Sequence, residues 1–143
     1  MDSTSLIFEK KINFIESYDP SIPNIYANEE QLIQLFVNLF KNAAEAVDKD
    51  TGIIKISTRY KHGNLPIKVF IEDNGIGIPN ELKDNVFDAF VTNKTNGKGL
   101  GLSICAKIVQ NHGGSIEFDN INNKTVFTVM FDKQKKKLWI KKN

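Results

Sequence analysis

The stretch NGKGLGLSI, residues 96–104, places three glycines immediately before an apolar helical pattern. Ordering a glycine costs backbone entropy, so three of them at the start of a helix need a physical reason. Because they lack side chains, Gly97, Gly99 and Gly101 leave backbone N–H groups accessible beside the positive end of the helix dipole. Phosphate groups commonly bind at such helix N-termini. The stretch therefore predicts a phosphate-binding loop that leads into a helix.

The spacing of these glycines excludes two common phosphate-binding motifs. A Walker A loop requires G-x-x-x-x-G-K-[ST], which this segment lacks. A Rossmann fingerprint requires a third glycine where Leu102 stands, and a strand leading directly into the loop. The polar residues Thr92, Lys94 and Lys98 precede or interrupt the glycines and are candidate phosphate partners.

Hydrophobic periodicity in the rest of the chain predicts an α+β fold. Asn28 is a candidate N-cap, with Gln31 at the capping-box spacing, for an amphipathic helix that runs to about Asp48. Strands are predicted at 10–19, 53–60, 66–73, 115–120 and 125–131. The second and third strands are expected to form a hairpin, and residues 82–90 a short helix or turn. The order β-α-β-β-loop-α-β-β predicts a two-layer sandwich, with both long helices on one face of a mainly antiparallel sheet.

Composition and charge narrow the class of protein. The 143 residues are 41% hydrophobic and 25% charged, which suits one domain with a substantial core. No apolar run approaches the roughly 20 residues of a membrane span, and the single cysteine, Cys105, favours a reducing, cytoplasmic setting. The tail 132–143 holds six lysines and one aspartate, so the rest of the chain carries a net charge of −3. A mildly acidic body argues against a nucleic-acid-binding surface.

Two further polar motifs precede the glycine run. Asn38, Asn42 and Glu45 form a stripe along the first predicted helix, and carboxamide oxygens are suitable ligands for Mg²⁺. The segment EDNGIGIP, residues 72–79, places Asp73 at the end of a strand, where a carboxylate can accept a hydrogen bond from an adenine amino group. Each motif taken alone also has a structural interpretation, as a solvated helix face and as a D-N-G turn.

Together, in this order and at these spacings, the motifs resemble the ATP-binding domain of sensor histidine kinases, within the wider family shared with gyrase, Hsp90 and MutL. NLFKNAAEAV resembles the N box, DNGIGIP the first glycine box, VFDAF the F box and GKGLGLSI the second glycine box. The resemblance covers about residues 10–131 and implies the Bergerat ATP-binding fold, a two-layer α/β sandwich. The segments ESYDPSIPNIYANEEQLIQLFVNLFKNAAEAV and FVTNK…GKGLGLSICAKIVQNHGG are most similar to the nitrogen-regulation, NtrB-type kinases.

The resemblance implies ATP and Mg²⁺ as ligands and assigns roles to residues of this chain. Mg²⁺ would be bound by Asn42 and Asn38, while Lys41 and Glu45 would contact phosphate or order the water on the metal. Adenine would be recognised by Asp73, with Gly75 and Gly77 shaping its pocket, Ile78 packing on the ring and Thr125 supporting the site. The phosphates would be held by Gly97, Gly99, Leu100, Gly101 and Leu102, within or beside a lid formed by residues 87–98. Lys98 stands where many relatives carry a small hydroxyl residue.

Asn38 also separates two types of reaction. The ATP hydrolases of the family carry a glutamate at this position as a general base for water, and an amide cannot take a proton. The sequence therefore favours phosphoryl transfer to a protein histidine, with no catalytic acid or base on this chain. The alternatives are an ATPase of gyrase or MutL type, a protein-serine kinase of anti-sigma type, and a non-catalytic nucleotide-binding module.

Residues 1–143 are interpreted as one catalytic domain, with a core at 10–131 and a basic tail at 132–143. The dimerisation domain that carries the phosphoacceptor histidine in such kinases is expected to be absent. His62 and His112, the only histidines, are interpreted as structural. The expected partners are that dimerisation domain, a response regulator and a small signalling protein, with no nucleic acid and no membrane contact. By itself the chain is expected to be a monomer.

Overall fold

The computed structural model describes residues 10–87 and 100–132, which form a five-stranded sheet and two α-helices. The strands are β1 Ile12–Ser17, β2 Gly52–Tyr60, β3 Ile67–Asp73, β4 Ser115–Ile121 and β5 Lys124–Phe131. The α-helices are α1 Glu29–Ala46 and α2 Leu100–Asn111, and a 3-10 helix spans Asn80–Asn85. This element order confirms the predicted one, including the hairpin between β2 and β3.

The sheet has the order β1-β2-β3-β5-β4, with β1 parallel to β2 and every other pair antiparallel. Helix α1 forms the connection between the two parallel strands, as such a pair requires. The two helices contact each other and the sheet. The predicted two-layer sandwich is therefore confirmed within the described part of the chain.

The core lies between the helices and the sheet. Its buried members are Leu35, Leu39, Ala43, Ala44 and Val47 from α1 and its end, Cys105, Ile108 and Val109 from α2, and Ile54, Ile67, Ile71, Phe127, Val129 and Phe131 from the strands. Phe87, in the predicted F box, packs its ring against Phe118 and Phe127, with centroid separations of 6.2 and 6.1 Å. Val86, the other F-box residue that the structure describes, is buried too, so this part of the F box belongs to the core.

The start of α1 is capped as predicted, but only half of the capping box forms. The Asn28 side chain accepts a hydrogen bond from the Gln31 amide at 3.0 Å. The Asn28 amide donates to Nε2 of His112 at 3.2 Å, instead of to the Gln31 side chain. Oε1 of Gln31 is buried without a hydrogen-bond partner among the described residues. The N-terminus of α1 is thus fastened to the C-terminus of α2.

The other end of α1 is held by two segments that are distant in sequence. Nζ of Lys10 donates to the carbonyl oxygens of Ala44 at 2.7 Å and Val47 at 2.9 Å. The Ala46 carbonyl accepts from the amide of Ile76, in the loop after β3, at 3.2 Å. A cation beside free carbonyls stabilises a helix C-terminus. These contacts fix the end of α1 against the loop that carries the predicted adenine-binding motif.

Within the described residues, no helix is long and apolar enough to cross a membrane.

Candidate functional site

Two buried polar side chains lie next to each other at one end of the sheet. Asp73, the last residue of β3, and Thr125 on β5 are directly opposite in the register, and each is 3% exposed. Of the residues that the structure describes, the only other buried polar side chain is His112. Burying a carboxylate is costly unless it is hydrogen-bonded, and Oδ1 of Asp73 accepts from the Gly75 amide at 2.8 Å. A polar pair in this position favours a binding role over a simple turn.

The loop that follows Asp73 needs each of its two glycines for a different reason. A Cβ on Gly75 would lie 2.5 Å from the Ala46 carbonyl oxygen, so only glycine permits this close approach to α1. Gly77 has a φ of +80°, a left-handed conformation that side chains disfavour. A Cβ on Gly77 would lie 3.7 Å from Oγ1 of Thr125. Gly75 therefore attaches the loop to the helix, and Gly77 leaves the Thr125 hydroxyl accessible.

A cavity of about 510 Å³ opens between this loop and the turn that joins β4 to β5. Its lining comprises Gly75, Ile76, Gly77, Ile78, Asn120, Asn122, Asn123, Lys124 and Thr125. Four of the predicted site residues, the two glycines, Ile78 and Thr125, are thus brought together around one cavity. The size is within the range of small-molecule sites.

The predicted polar stripe lies on α1, where Asn38, Lys41, Asn42 and Glu45 are all half-buried. A helix rises 1.5 Å per residue, so Asn42 is about 6 Å along the axis from Ala46 and Asn38 about 12 Å. Asn42 and Glu45 are therefore near the attachment point of the loop after β3. Asn38 lies further away, and its side chain hydrogen-bonds Cys105 of α2.

Cys105 is fully buried, and its Sγ donates to the Leu35 carbonyl at 3.6 Å. Burial raises the pKa of the Cys105 thiol to about 12, and the hydrogen bond from Asn38 opposes that rise. The thiol therefore stays protonated at neutral pH, and it acts as a core side chain that contacts the stripe.

The donor atoms of the stripe fit Mg²⁺ bound together with phosphates. Mg²⁺ prefers oxygen ligands and is usually held by one or two protein groups, with phosphate and water oxygens completing the shell. Asn42 and Glu45 provide amide and carboxylate oxygens of this kind. The described residues contain no group of three or more His, Cys, Asp or Glu that could hold a metal by itself. The donor set thus matches an ion that arrives with a phosphorylated ligand.

The predicted phosphate loop is only partly described. Thr92, Lys94, Gly97, Lys98 and Gly99 lie outside the described residues. Helix α2 begins at Leu100 and continues through Gly101 and Leu102, which confirms that a helix starts within the glycine run. Leu102 is half-buried and packs against the core.

The sequence analysis did not identify two polar residues, Asn120 and Asn74, whose hydrogen bonds hold the loop after β3 and Thr125 in place. Asn120, at the end of β4, hydrogen-bonds both Ile78 and Thr125. Asn74 accepts from the Ile53 amide at 2.8 Å and donates to the Thr51 carbonyl at 3.0 Å, which fixes the turn after Asp73. One part of this region carries a signal in the sequence, because two adjacent asparagines between two strands indicate a two-residue hairpin turn. Asn122 and Asn123 indeed both have the positive φ that such a turn requires. The contact of Asn120 with Thr125 follows from the β4–β5 register, and its contact with Ile78 follows from the path of the loop after β3.

Comparisons with known proteins identify a family and several similar sequences. Residues 27–135 match the family described as histidine kinase-, DNA gyrase B- and HSP90-like ATPases. The chain is 52% identical over 140 residues to the sensory histidine kinase/phosphatase NtrB of Azospirillum brasilense, covering 87% of this chain and 35% of that protein. It is 46% identical to NtrB of Rhizobium leguminosarum bv. phaseoli, covering 90% and 37%. The chain therefore spans about a third of the length of these relatives.

Solved structures give the same result. The catalytic domain of histidine kinase ThkA, in a nucleotide-free form, matches with a TM-score of 0.75 and 37% identity, covering 85% of this chain and 79% of that one. A second structure contains ThkA in complex with the response regulator protein TrrA, with a TM-score of 0.70 and 34% identity over 86% of this chain and 34% of that one. The mycobacterial sensor histidine kinase MprB matches in fold, with a TM-score of 0.77 at 22% identity, over 92% and 95%.

Proposed function

The chain belongs to the family of histidine kinase-, DNA gyrase B- and HSP90-like ATPases, and on this premise we propose that it binds Mg²⁺-ATP and donates the γ-phosphate to a histidine of a separate helical domain. It would act as the catalytic domain of a sensor histidine kinase of the nitrogen-regulation type, to which its similar curated relatives belong by name. Residues 1–143 would form this single domain, with the core at 10–131.

The observation that carries the proposal is the buried pair formed by Asp73 and Thr125. Asp73 and Thr125 are each 3% exposed and lie directly opposite in the register, and Gly77 places no side chain beside the Thr125 hydroxyl. Thr125 lines the cavity and Asp73 lies next to it, so a hydroxyl oxygen and a carboxylate could both accept from an exocyclic amino group. Ile78 lies in the same loop and would supply apolar contact to the flat face of the base.

The residues of α1 would act on the phosphates. Asn42 and Asn38 would offer amide oxygens to the metal, and Lys41 and Glu45 would contact phosphate or orient metal-bound water. When bound, Mg²⁺ neutralises charge on the phosphoryl group that is transferred. The start of α2, with Leu100, Gly101 and Leu102, would present backbone N–H groups to the same phosphates.

The environment of Asn38 favours transfer over hydrolysis. The amide cannot accept a proton from water, so it cannot replace the glutamate of the family's hydrolases. Its neighbour Cys105, with a pKa raised to about 12, remains a thiol and supplies no base either. The nucleophile would therefore come from another domain, and catalysis would depend on positioning and charge neutralisation.

The partners follow from the same proposal. The first is the dimerisation domain that carries the acceptor histidine, and the second is a response regulator, since ThkA was solved in complex with one. A small signalling protein is a third proposed partner. We place this activity in the cytoplasm, and we expect the chain alone to be a monomer.

Calorimetric titration with a non-hydrolysable ATP analogue, with and without Mg²⁺, tests the proposal. Wild type should bind, and more tightly with Mg²⁺. Asp73→Asn replaces an acceptor-only group with one that also donates, and it should weaken binding about 5- to 150-fold, the equivalent of about 1–3 kcal/mol. The measurement is the dissociation constant of each variant.

Glu72→Gln is the matched control. Glu72 is the neighbouring strand residue, so its side chain lies on the opposite face, where it pairs with Lys124 at 3.5 Å. Lys124 lines the cavity, but its pair with Glu72 is solvent-exposed and such pairs contribute little, so this variant should bind the analogue nearly as wild type does. Failure of wild type to bind, or equal losses in the two variants, would contradict the assignment of Asp73 and favour a module that binds a protein partner.

A further inference from the structure

Asn120 connects the two walls of the candidate nucleotide site. Its Nδ2 donates to the carbonyl oxygen of Ile78, in the loop after β3, at 3.3 Å. Its Oδ1 accepts from Oγ1 of Thr125, on β5, at 3.2 Å. One side chain at the end of β4 therefore contacts both the loop and the buried hydroxyl next to Asp73.

Chemistry fixes the orientation of the Asn120 amide. The Ile78 carbonyl carries no proton, so the group facing it must be the NH₂ of Asn120. The opposite orientation would place two oxygen acceptors against each other, and would also direct two N–H donors at Thr125. The amide oxygen therefore faces Thr125.

The fixed amide determines where the Thr125 proton points. A hydroxyl has one proton to donate and two lone pairs to accept with. Since Oδ1 of Asn120 can only accept, the hydroxyl proton of Thr125 is directed towards it. Towards the rest of the site, Thr125 then offers lone pairs alone.

The groups next to Thr125 make the direction of its hydroxyl proton important. Asp73 is directly opposite Thr125 in the register, and its carboxylate is also an acceptor. Gly77 keeps the space beside Oγ1 free of a side chain, with a hypothetical Cβ still 3.7 Å away. The buried edge formed by Asp73 and Thr125 therefore presents acceptors to whatever base lies against it.

We propose that Asn120 is a positioning residue for base selection: by holding the Thr125 proton, it makes the site accept a 6-amino purine and reject a 6-oxo purine. The inference rests on the proposed nucleotide-binding function. Adenine presents an amino group that donates to these acceptors. Hypoxanthine presents O6, which would face the lone pairs of Thr125, and an unpaired acceptor of this kind is strongly disfavoured in a buried site.

The test compares ATP with ITP, whose base carries O6 in place of the 6-amino group and a proton on N1. Because the N1 proton is the same for every variant, a change of the ATP-to-ITP ratio between variants reports on the contact with O6. Dissociation constants for both are measured by calorimetry with Mg²⁺ on wild type and Asn120→Leu. Leucine has a similar size but neither donates nor accepts, so the Thr125 proton is released to donate either to Asp73 or to O6, and donation to O6 is available only when ITP is bound. The preference for ATP over ITP should fall about fivefold or more, mainly because ITP binds more tightly.

Two further variants separate selection from a purely structural role. Glu117→Gln changes an exposed side chain of the same strand β4 that does not line the cavity, so it should keep the wild-type preference. Thr125→Val removes the hydroxyl whose proton Asn120 would hold. Adding Asn120→Leu to this variant should therefore leave the preference for ATP over ITP unchanged. A residue that only held the loop would instead weaken ATP and ITP by the same factor.

The possible outcomes separate a failure of the proposed role of Asn120 from a failure of the proposed nucleotide-binding function. An unchanged ATP-to-ITP ratio in Asn120→Leu, with ATP still bound, would overturn the role of Asn120 and leave the nucleotide site intact. A changed ratio that persists when Thr125→Val is the background would also overturn it. If wild type bound neither nucleotide, the proposed function itself would be overturned.

Discussion

His112 shows how one residue can link the folding of the domain to pH. It is fully buried; its Nδ1 lies 2.8 Å from the Ile108 carbonyl and its Nε2 accepts from the Asn28 amide. The carbonyl requires a proton on Nδ1, so Nε2 carries none and the ring is neutral. Burial lowers the pKa of His112 below its usual 6.5.

We predict that the domain loses stability as the pH falls below about 6.5, because the unfolded chain then binds a proton at His112 more readily than the folded chain. The free energy of unfolding should stay at its plateau above that pH and decrease as the pH drops towards the lowered folded-state pKa. The slope due to one residue reaches at most about 1.4 kcal/mol per pH unit. Urea denaturation at pH 7.5, 6.5 and 5.5 measures it.

The variant His112→Gln should be less stable at pH 7.5 but should show a shallower dependence on pH. His62→Gln, in the exposed loop between β2 and β3, should keep the wild-type dependence. Equal slopes in wild type and His112→Gln would mean that other groups cause the acid sensitivity.

For single residues, the sequence predicted hydrogen bonds correctly where the two partners are close in the chain. The N-cap of Asn28 could be predicted because its acceptor role involves Gln31, three residues on. The partner of the Asn28 amide, His112, is 84 residues away, and nothing in the local pattern indicates it. Distance along the chain also separates Asn120 from Ile78, which is 42 residues away. Thr125 is only five residues from Asn120, but their contact depends on the register of the β4–β5 hairpin, which the local pattern does not fix.

At the scale of elements, helix α1 depends on Lys10 for its C-terminal end. The last turn of α1 contains no basic residue, which is unusual for the negative end of a helix dipole. Lys10 supplies the charge from outside, with its ammonium group 2.7 Å from the Ala44 carbonyl and 2.9 Å from that of Val47.

We predict that Lys10→Met lowers the free energy of unfolding by about 1–2 kcal/mol, because it removes charge-assisted hydrogen bonds and leaves half-buried carbonyls without a donor. Urea denaturation at pH 7.5 measures the loss. Lys11→Met is the control, since Lys11 is exposed and its backbone bond to Lys49 remains in the variant. A loss in Lys10→Met no larger than in Lys11→Met would show that the cap does not contribute.

The elements themselves were largely predictable, because each leaves a periodic pattern. The apolar positions of α1 recur at helical spacing, and its observed end at Ala46 is two residues before the predicted one. In α2 the predicted face is confirmed at Ile108, which is buried, and at Ile104, which packs against the core. Cys105 and Val109 are also buried, so the observed apolar face is wider than the predicted one, because both sides of the helix meet α1 or the sheet.

At the scale of the whole molecule, the fold decides which predicted residues form a site together. Thr125 lies 52 residues after Asp73, and the two become neighbours only because β3 pairs with β5. The motifs indicated that each residue belonged to a nucleotide site, but the acceptor pair they form required the strand order. Thr92, Lys94, Gly97, Lys98 and Gly99 lie outside the described residues, so their predicted contacts with phosphate remain predictions.

The positions of the two histidines lead to a prediction for the whole chain, which is that it binds ATP without phosphorylating itself. His112 is buried with both ring nitrogens engaged. His62 lies in the loop between β2 and β3, at the opposite end of β3 from Asp73, which at 3.3 Å per residue is about 20 Å away. Neither ring can reach a phosphate group held near Asp73 and α1.

Incubation with γ-labelled ATP and Mg²⁺, followed by detection of acid-labile phosphoprotein, measures this directly. The chain alone should remain unlabelled, whereas a separately produced helical domain carrying an acceptor histidine should become labelled when the chain is added. Asp73→Asn should reduce that labelling through weaker nucleotide binding, and Glu72→Gln should not. Label on the chain alone that disappears in His62→Gln would contradict the prediction, because it would require a geometry in which the β2–β3 loop of one molecule reaches the nucleotide site of another.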